Sequence, residues 1–133
     1  MAQDSLSVVQ QVYGDFGRGD IPAILGRLTE DVIWTVEGRA GDYPTFGVRH
    51  GPSGALAFFQ AMGEVEDVTA FEPKSFHTAG DTVVVEGRIG MTLKNNGKAL
   101  DYDWVHIFTV RDGKVAGFRE LYDTALVVEA YRG

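Results

Sequence analysis

Two side chains near the end of the chain, His106 and Glu120, are of the types that most often move protons in enzymes. Each stands in a segment where aromatic or aliphatic residues alternate with charged ones, the pattern of a strand with one buried face. Paired strands would place the imidazole and the carboxyl group within reach of each other on the apolar face. Because a carboxylate is costly to bury without a partner, we predict that Glu120 and His106 form a catalytic acid–base pair.

The face that holds this pair depends on two turns, since a slip of one residue moves every side chain of a strand to the other side. Asn96-Gly97 predicts a two-residue turn. At Asp112-Gly113 a two-residue loop would separate Trp104 from Glu120, whereas a three-residue loop with Gly113 in a bulge keeps aromatic and charged residues apart. We therefore predict the three-residue loop. The predicted cross-strand pairs are Met91 with Tyr102, Ile89 with Trp104, Gly87 with His106, Trp104 with Glu120 and His106 with Phe118.

The elements that must position these residues follow a helices-first order. Apolar spacing predicts helices over 5–17, after Asp20, and from Pro52 or Ser53. The predicted strands are 31–37, 68–78, 81–94, 98–110 and 114–123, with a short last helix from Thr124. Helices followed by an antiparallel meander predict an α+β fold, and 133 residues without a repeat or linker fit one domain over 1–133. Tyr43 and Phe46 in the long loop 38–50 could close a pocket or merely anchor the loop.

Composition narrows the classes of function. The chain has no cysteine, which excludes disulfides, thiol catalysis and thiolate metal sites. A net charge of −7 argues against nucleic acid as a partner. No apolar run approaches the about 20 residues that cross a membrane, and the N-terminus lacks the pattern of a signal peptide, so we expect a cytoplasmic protein. His50 and His77 have no acidic residue at ligand spacing, and no metal site is predicted.

Four stretches resemble the nuclear transport factor 2-like (NTF2-like) superfamily, and within it the SnoaL-like polyketide cyclases and their ketosteroid isomerase-related relatives. They are GRGD at 17–20, LTEDVIW at 28–34, GPSG at 51–54 and FTVRDGKVAGFRELYD at 108–123. The resemblance implies a cone-shaped curved antiparallel sheet wrapped around three N-terminal helices, with an internal pocket. It also implies a homodimer, which the outward apolar residues of the sheet would suit. These residues are Ile33, Val105, Ile107 and Leu121.

The cyclases of this family use a carboxylate where Glu120 stands and a histidine that matches His106, which implies the same roles here. The Arg and Asp that limonene epoxide hydrolase-like relatives need fall at Gly87 and Ile89. Epoxide hydrolysis is therefore disfavoured. The base of ketosteroid isomerase-like relatives falls at Val36, so isomerisation by their route would require Glu120 to act from another wall of the cone. The predicted substrate-binding wall of the pocket consists of Trp34, Val36, Ile89, Met91, Tyr102, Trp104, Phe118, Tyr122 and Tyr13.

These features predict a cofactor-free enzyme acting on a polyketide-, terpenoid- or steroid-like carbonyl compound, by proton transfer next to the carbonyl and then cyclisation or isomerisation. Glu120 would take the proton, and His106 would donate to the developing enolate oxygen. The alternative is a non-catalytic module that binds a small apolar ligand. In that case Glu120 pairs with Arg88, Arg119 or a backbone amide, and His106 is a satisfied core histidine.

Overall fold

The structure, a computed structural model, describes residues 4–133. Its four helices and six strands follow the helices-first order that the sequence predicts, and the predicted α+β fold is confirmed. In chain order the elements are α1 (Ser5–Gly17), α2 (Ile21–Gly26), β1 (Leu28–Val36), β2 (Gly47–His50), α3 (Gly51–Val65), β3 (Glu66–Ala79), β4 (Thr82–Leu93), β5 (Ala99–Arg111), β6 (Lys114–Tyr122) and α4 (Thr124–Arg132). No helix among the described residues is long and apolar enough to cross a membrane.

The helix starts follow from capping residues that the sequence makes visible. Asp4 accepts a hydrogen bond from the Ser7 amide at 2.8 Å, and Asp20 accepts one from Ala23 at 3.1 Å. These bonds satisfy backbone donors that have no partner in the first turn of a helix. The buried side chains of α1 are those at helical spacing, with Val8, Val9 and Val12 facing the sheet.

The six strands form one curved, unclosed sheet in the order β2-β1-β6-β5-β4-β3. Neighbouring strands are antiparallel except β1 and β6, which run parallel. The short strand β2 lies inside the segment 38–50, where the sequence predicts only a loop. The outward face includes Ile33 and Val48, whose side chains are 47% and 58% exposed.

The predicted register between β4 and β5 is wrong by two residues. Ile89 faces Tyr102, Met91 faces Leu100 and Gly87 faces Trp104, because the loop holds four residues, 94–97, instead of two. The side-chain amide groups of Asn95 and Asn96 donate through Nδ2 to the backbone carbonyls of Tyr131 and Ala130 at the end of α4, at 3.0 and 2.7 Å. A tight turn at Asn96-Gly97 would leave these bonds unmade. Since the slip is by two residues, every side chain keeps its predicted face.

The predicted loop between β5 and β6 is also wrong, although the predicted face is right. Asp112 and Gly113 both have positive φ, at 52° and 76°, and form a two-residue turn. The extra residue is instead Ala116, in a bulge between the pairs Val110–Val115 and Thr109–Gly117. Because the bulge adds one residue to β6, the side chains beyond it lie on the same face of the sheet that the predicted three-residue loop would have given them. His106 therefore lies directly opposite Glu120, and Trp104 opposite Tyr122.

A buried carboxylate joins α1 to α2. Asp15, 1% exposed, binds Arg18 Nη2 through Oδ1 and Arg27 Nε through Oδ2, both at 2.5 Å. Arg27 also donates to Gln11 Oε1 at 2.5 Å, and its carbonyl accepts from the Val115 amide. This network fixes the end of α1 against α2 and β6, two residues beyond Tyr13.

Replacing Asp15 with Asn is expected to lower the free energy of unfolding by about 2 kcal/mol at neutral pH, because hydrogen bonds to a charged group are lost. The hydrogen bond from Arg27 holds the pKa of Asp15 below its ordinary value. A depressed pKa in the folded state gives stability at neutral pH that disappears as the carboxylate is protonated. Urea unfolding should therefore show the difference from the wild type shrinking below about pH 4. An unchanged difference there, or an equal loss in the exposed control Asp67→Asn, would contradict the prediction.

Candidate active site

His106 is held on both sides by hydrogen bonds that run across the sheet and up to α1. Its Nε2 lies 2.7 Å from Glu120 Oε2, and its Nδ1 lies 2.8 Å from the Tyr13 hydroxyl. His106 is 4% exposed and the Glu120 side chain 18% exposed, so the pair is on the inner face as predicted. The sequence placed Tyr13 only among the pocket walls. Its bond to the imidazole depends on how α1 packs on the sheet.

The direction of these bonds depends on which ring nitrogen of His106 carries the proton. Burial, and after it the charge of Glu120, raise the pKa of Tyr13 far above its ordinary value, so the hydroxyl keeps its proton. When Tyr13 donates to Nδ1, the imidazole proton is on Nε2 and is donated to Glu120. Neither ring nitrogen is then free. Oε1 of Glu120 has no hydrogen-bond partner among residues 4–133.

Aromatic rings fix the plane of the imidazole. The Trp104 ring stacks on His106 at 3.8 Å between centroids with 17° between the planes, and Phe71 stacks on Trp104 at 5.0 Å and 13°. Gly87 makes room for this stack, because a Cβ atom there would lie 2.2 Å from Trp104 Cζ2. The packing of Trp104 thus requires a glycine at position 87.

Glu120 stands between two small hollows inside the cone. The aromatic hollow has a volume of about 50 Å³, and its wall includes Tyr13, Trp34, Phe108, Phe118 and His106. The carboxyl hollow has a volume of about 20 Å³, and its wall includes Thr45, Glu66, Ile89, Tyr102, Trp104 and Tyr122. Phe58, Met62, Phe71 and Glu120 border both. Since a water molecule needs about 10–15 Å³ by this measure, both hollows together hold only a few water-sized groups until these shared side chains move.

The predicted wall residues divide between the two hollows and the core. Tyr13, Trp34 and Phe118 line the aromatic hollow, whereas Ile89, Tyr102, Trp104 and Tyr122 line the carboxyl hollow. Val36 and Met91 are each 1% exposed and line neither hollow. A groove between α1 and β3 is lined in part by Tyr13, Phe16 and Phe71, which also border the aromatic hollow.

Glu66 is a second buried carboxyl group that the sequence analysis missed. It is 8% exposed, and Oε2 accepts a hydrogen bond of 2.6 Å from the hydroxyl of Tyr43, which is itself 2% exposed. Burial raises the pKa of Glu66 to about 7; the bond from Tyr43 lowers it and the charge of Glu120 raises it further. The sequence pattern predicts that this strand begins at residue 68. In the structure β3 begins at Glu66, and Glu66 pairs with the buried Leu93. Only the observed register reveals that Glu66 points inward.

Outside the cone, His77 and Glu86 form a second histidine–glutamate pair, at 2.9 Å between Nε2 and Oε2. Both side chains are 60% exposed. The contrast shows that burial, and not the contact itself, distinguishes the inner pair. Among residues 4–133 no three histidine, aspartate or glutamate side chains lie together in a way that could bind a metal ion.

A curved sheet around helices, with buried acid–base groups facing an aromatic hollow, defines a protein of the NTF2-like class. The chain belongs to the SnoaL-like domain family, which it matches over residues 9–118. The matched region includes His106 and ends two residues before Glu120. No curated protein matches the chain in sequence.

Solved structures agree with this class. An NTF2-like protein from Burkholderia xenovorans LB400 is 29% identical with a TM-score of 0.86, and 98% of each chain is covered. TerC, co-crystallised with polyporic acid, is 27% identical with a TM-score of 0.83, covering 97% of this chain and 98% of its own. A protein from Mesorhizobium loti assigned as a SnoaL-like polyketide cyclase is 20% identical with a TM-score of 0.71, covering 88% and 97%. This last likeness supports the fold alone.

Proposed function

We propose that the protein is a cofactor-free acid–base enzyme that moves a proton next to the carbonyl group of an apolar compound of polyketide, terpenoid or steroid type, leading to cyclisation or isomerisation. The observation that carries the proposal is the Glu120 carboxylate, buried in an aromatic wall with one oxygen held by His106 and the other free. A positioned carboxylate with a free oxygen in a site that excludes water is suited to general base catalysis.

In the proposed step Oε1 of Glu120 takes a proton from the carbon next to the carbonyl. His106 donates to Oε2 and is itself held by Tyr13, so it fixes the carboxylate and the direction of its free lone pairs. Because both imidazole nitrogens are bonded, we assign His106 a positioning role instead of donation to the enolate oxygen. The stacked ring of Trp104 keeps the imidazole from turning away.

The ligand must be largely apolar and must displace side chains to enter. The walls of the aromatic hollow are ring carbons with few polar groups, which favours a ring-containing compound. Phe58, Met62 and Phe71 separate the two hollows, and methionine adapts its shape readily to a ligand. The crystallisation of TerC with polyporic acid supports a small-molecule ligand for this chain as well.

The test uses 2-tetralone, an apolar bicyclic ketone, in deuterated buffer, with uptake of deuterium next to the carbonyl followed by NMR. We expect the protein to accelerate exchange above the buffer background, and polyporic acid to inhibit it by competing for the cone. No acceleration of exchange would overturn the proposed enzyme. Binding of polyporic acid by calorimetry without exchange would favour the non-catalytic binding module instead.

Self-association belongs to the same proposal. Ile33 and Val48 expose apolar surface on the outward side of β1 and β2, and Val105, Ile107 and Leu121 are half-buried on the neighbouring strands. A second copy of the chain packed on this face would cover these side chains. The cone interior would stay open to ligands, because this face is the one opposite to Glu120.

A further inference from the structure

We propose that Glu66, held by Tyr43, is the acid that protonates the carbonyl oxygen of the substrate while Glu120 removes the proton from carbon. This inference rests on the proposed function and assigns the role that His106 cannot fill while both of its nitrogens are bonded. It makes the carboxyl hollow an oxygen-binding site and the two glutamates an acid–base pair that acts across the substrate.

The two carboxyl groups border the same hollow from different strands. Glu66 opens β3 and Glu120 lies near the end of β6, and both form part of the wall of the carboxyl hollow. Their charges influence one another, since Glu120 contributes to the pKa of Glu66. Because both groups border this hollow, we place the reacting carbon of the substrate at Glu120 and its oxygen at Glu66.

The surroundings of Glu66 favour the acid form. No lysine or arginine lines the carboxyl hollow. The titratable groups that face Glu66 are Tyr43, Tyr102, Tyr122 and Glu120, with Tyr131 packed edge-on against Tyr43. Burial raises the pKa of Tyr43, Tyr102 and Tyr122 far above their ordinary value, so these tyrosines stay neutral. Among residues 4–133 the only hydrogen bond to the Glu66 carboxyl group is the one from the Tyr43 hydroxyl.

The bond from Tyr43 also decides which oxygen carries the proton. Because the hydroxyl donates to Oε2, the proton of the acid form is on Oε1, which has no partner among residues 4–133. The indole N–H of Trp104, a residue of the same wall, is also buried without a hydrogen-bond partner within the described chain. A ligand oxygen in this hollow would give the Oε1–H of the acid form a hydrogen-bond acceptor.

The step balances in protons and electrons. The C–H proton passes to Glu120 Oε1, and the C–H electron pair becomes the new C=C bond. The π pair of the carbonyl moves to its oxygen, which takes the proton from Glu66 Oε1 and leaves a carboxylate there. Return of a proton from Glu120 to carbon, with return of the enol proton to Glu66, restores both groups. The substrate class is thus a ketone whose oxygen sits at the Glu66 end and whose apolar rings extend toward Trp34.

The test measures the rate of deuterium uptake by 2-tetralone between about pH 5 and about pH 9, a range that brackets the pKa of Glu66 at about 7. In the wild type we expect the rate to fall above about pH 7, where Glu66 loses its proton. Glu66→Gln should lower the rate at about pH 6 by about a hundredfold, as for removal of an oxyanion donor, and remove this fall. Glu64→Gln, an exposed glutamate two residues away, is the matched control and should behave as the wild type.

A second variant and a second measurement separate this inference from the proposed function. Tyr43→Phe keeps the carboxyl group and removes the bond that lowers its pKa, so the fall should move to higher pH. Full exchange in Glu66→Gln together with an inactive Glu120→Gln would overturn the role of Glu66 and leave the proposed function standing. If the wild type exchanges nothing, carbon-13 NMR of the glutamate carboxyl groups still tests the acid. A Glu66 signal that titrates near the ordinary value of about 4.3 would overturn it.

Discussion

Replacing Glu120 with glutamine is expected to reduce the protein-dependent exchange of 2-tetralone by about a thousandfold, the middle of the range for loss of a general base. The amide keeps the size of the side chain and can still accept the hydrogen bond from His106, so the site should keep its shape. What is lost is the basic oxygen that takes the proton. Exchange rates by NMR, with thermal unfolding as a check on folding, measure both consequences.

The exposed glutamate of the outer pair provides the matched control. Glu86 contacts His77 much as Glu120 contacts His106, but it lies on the surface with 60% of its side chain exposed. Glu86→Gln should leave exchange and stability nearly unchanged, because an exposed pair contributes about 1 kcal/mol or less. Loss of a general base lowers a rate by at least about a hundredfold. If Glu120→Gln keeps about a tenth or more of the wild-type rate, the proposed base is therefore wrong.

Replacing Gly87 with alanine is expected to lower the free energy of unfolding by about 3 kcal/mol, at the upper end of the usual cost of overpacking. The added Cβ would lie 2.2 Å from Trp104 Cζ2 and 2.6 Å from the Glu72 carbonyl oxygen. Both are too close, and the backbone oxygen cannot turn aside as a flexible side chain can. Moving Trp104 also removes the ring that stacks on His106, so exchange should fall along with stability.

A second glycine of the same strand tests whether the effect is specific. Gly90→Ala places Cβ 3.3 Å from Thr69 Oγ1, the end of a side chain that can rotate. Urea unfolding should show a change of about 1 kcal/mol or less for this variant. Equal losses of unfolding free energy in Gly87→Ala and Gly90→Ala would show that the close packing of Trp104 against Gly87 is not the cause.

The sequence by itself determined the faces of the sheet and the elements other than the short strand β2. Helix α1 and strand β6 begin where their caps and turn residues predict, because these signals are local to a few residues. The alternation of aromatic and charged residues put His106 and Glu120 on one inner face, and this survived two errors in register. Each error shifted the pairing by two residues, so every side chain kept its predicted face. Burial of the apolar face fixes this alternation more strongly than any single turn does.

Only the tertiary structure decided how the site is assembled. The contact of Tyr13 with Nδ1 depends on how α1 packs, and the four-residue loop 94–97 is bonded to the end of α4, a segment more than thirty residues away in the chain. Glu66 enters the cone because β3 begins two residues earlier than its own pattern predicts and pairs with β4 there. Such contacts join segments far apart in sequence, so no local pattern records them. The hollow that brings the two glutamates to one wall arises from packing alone.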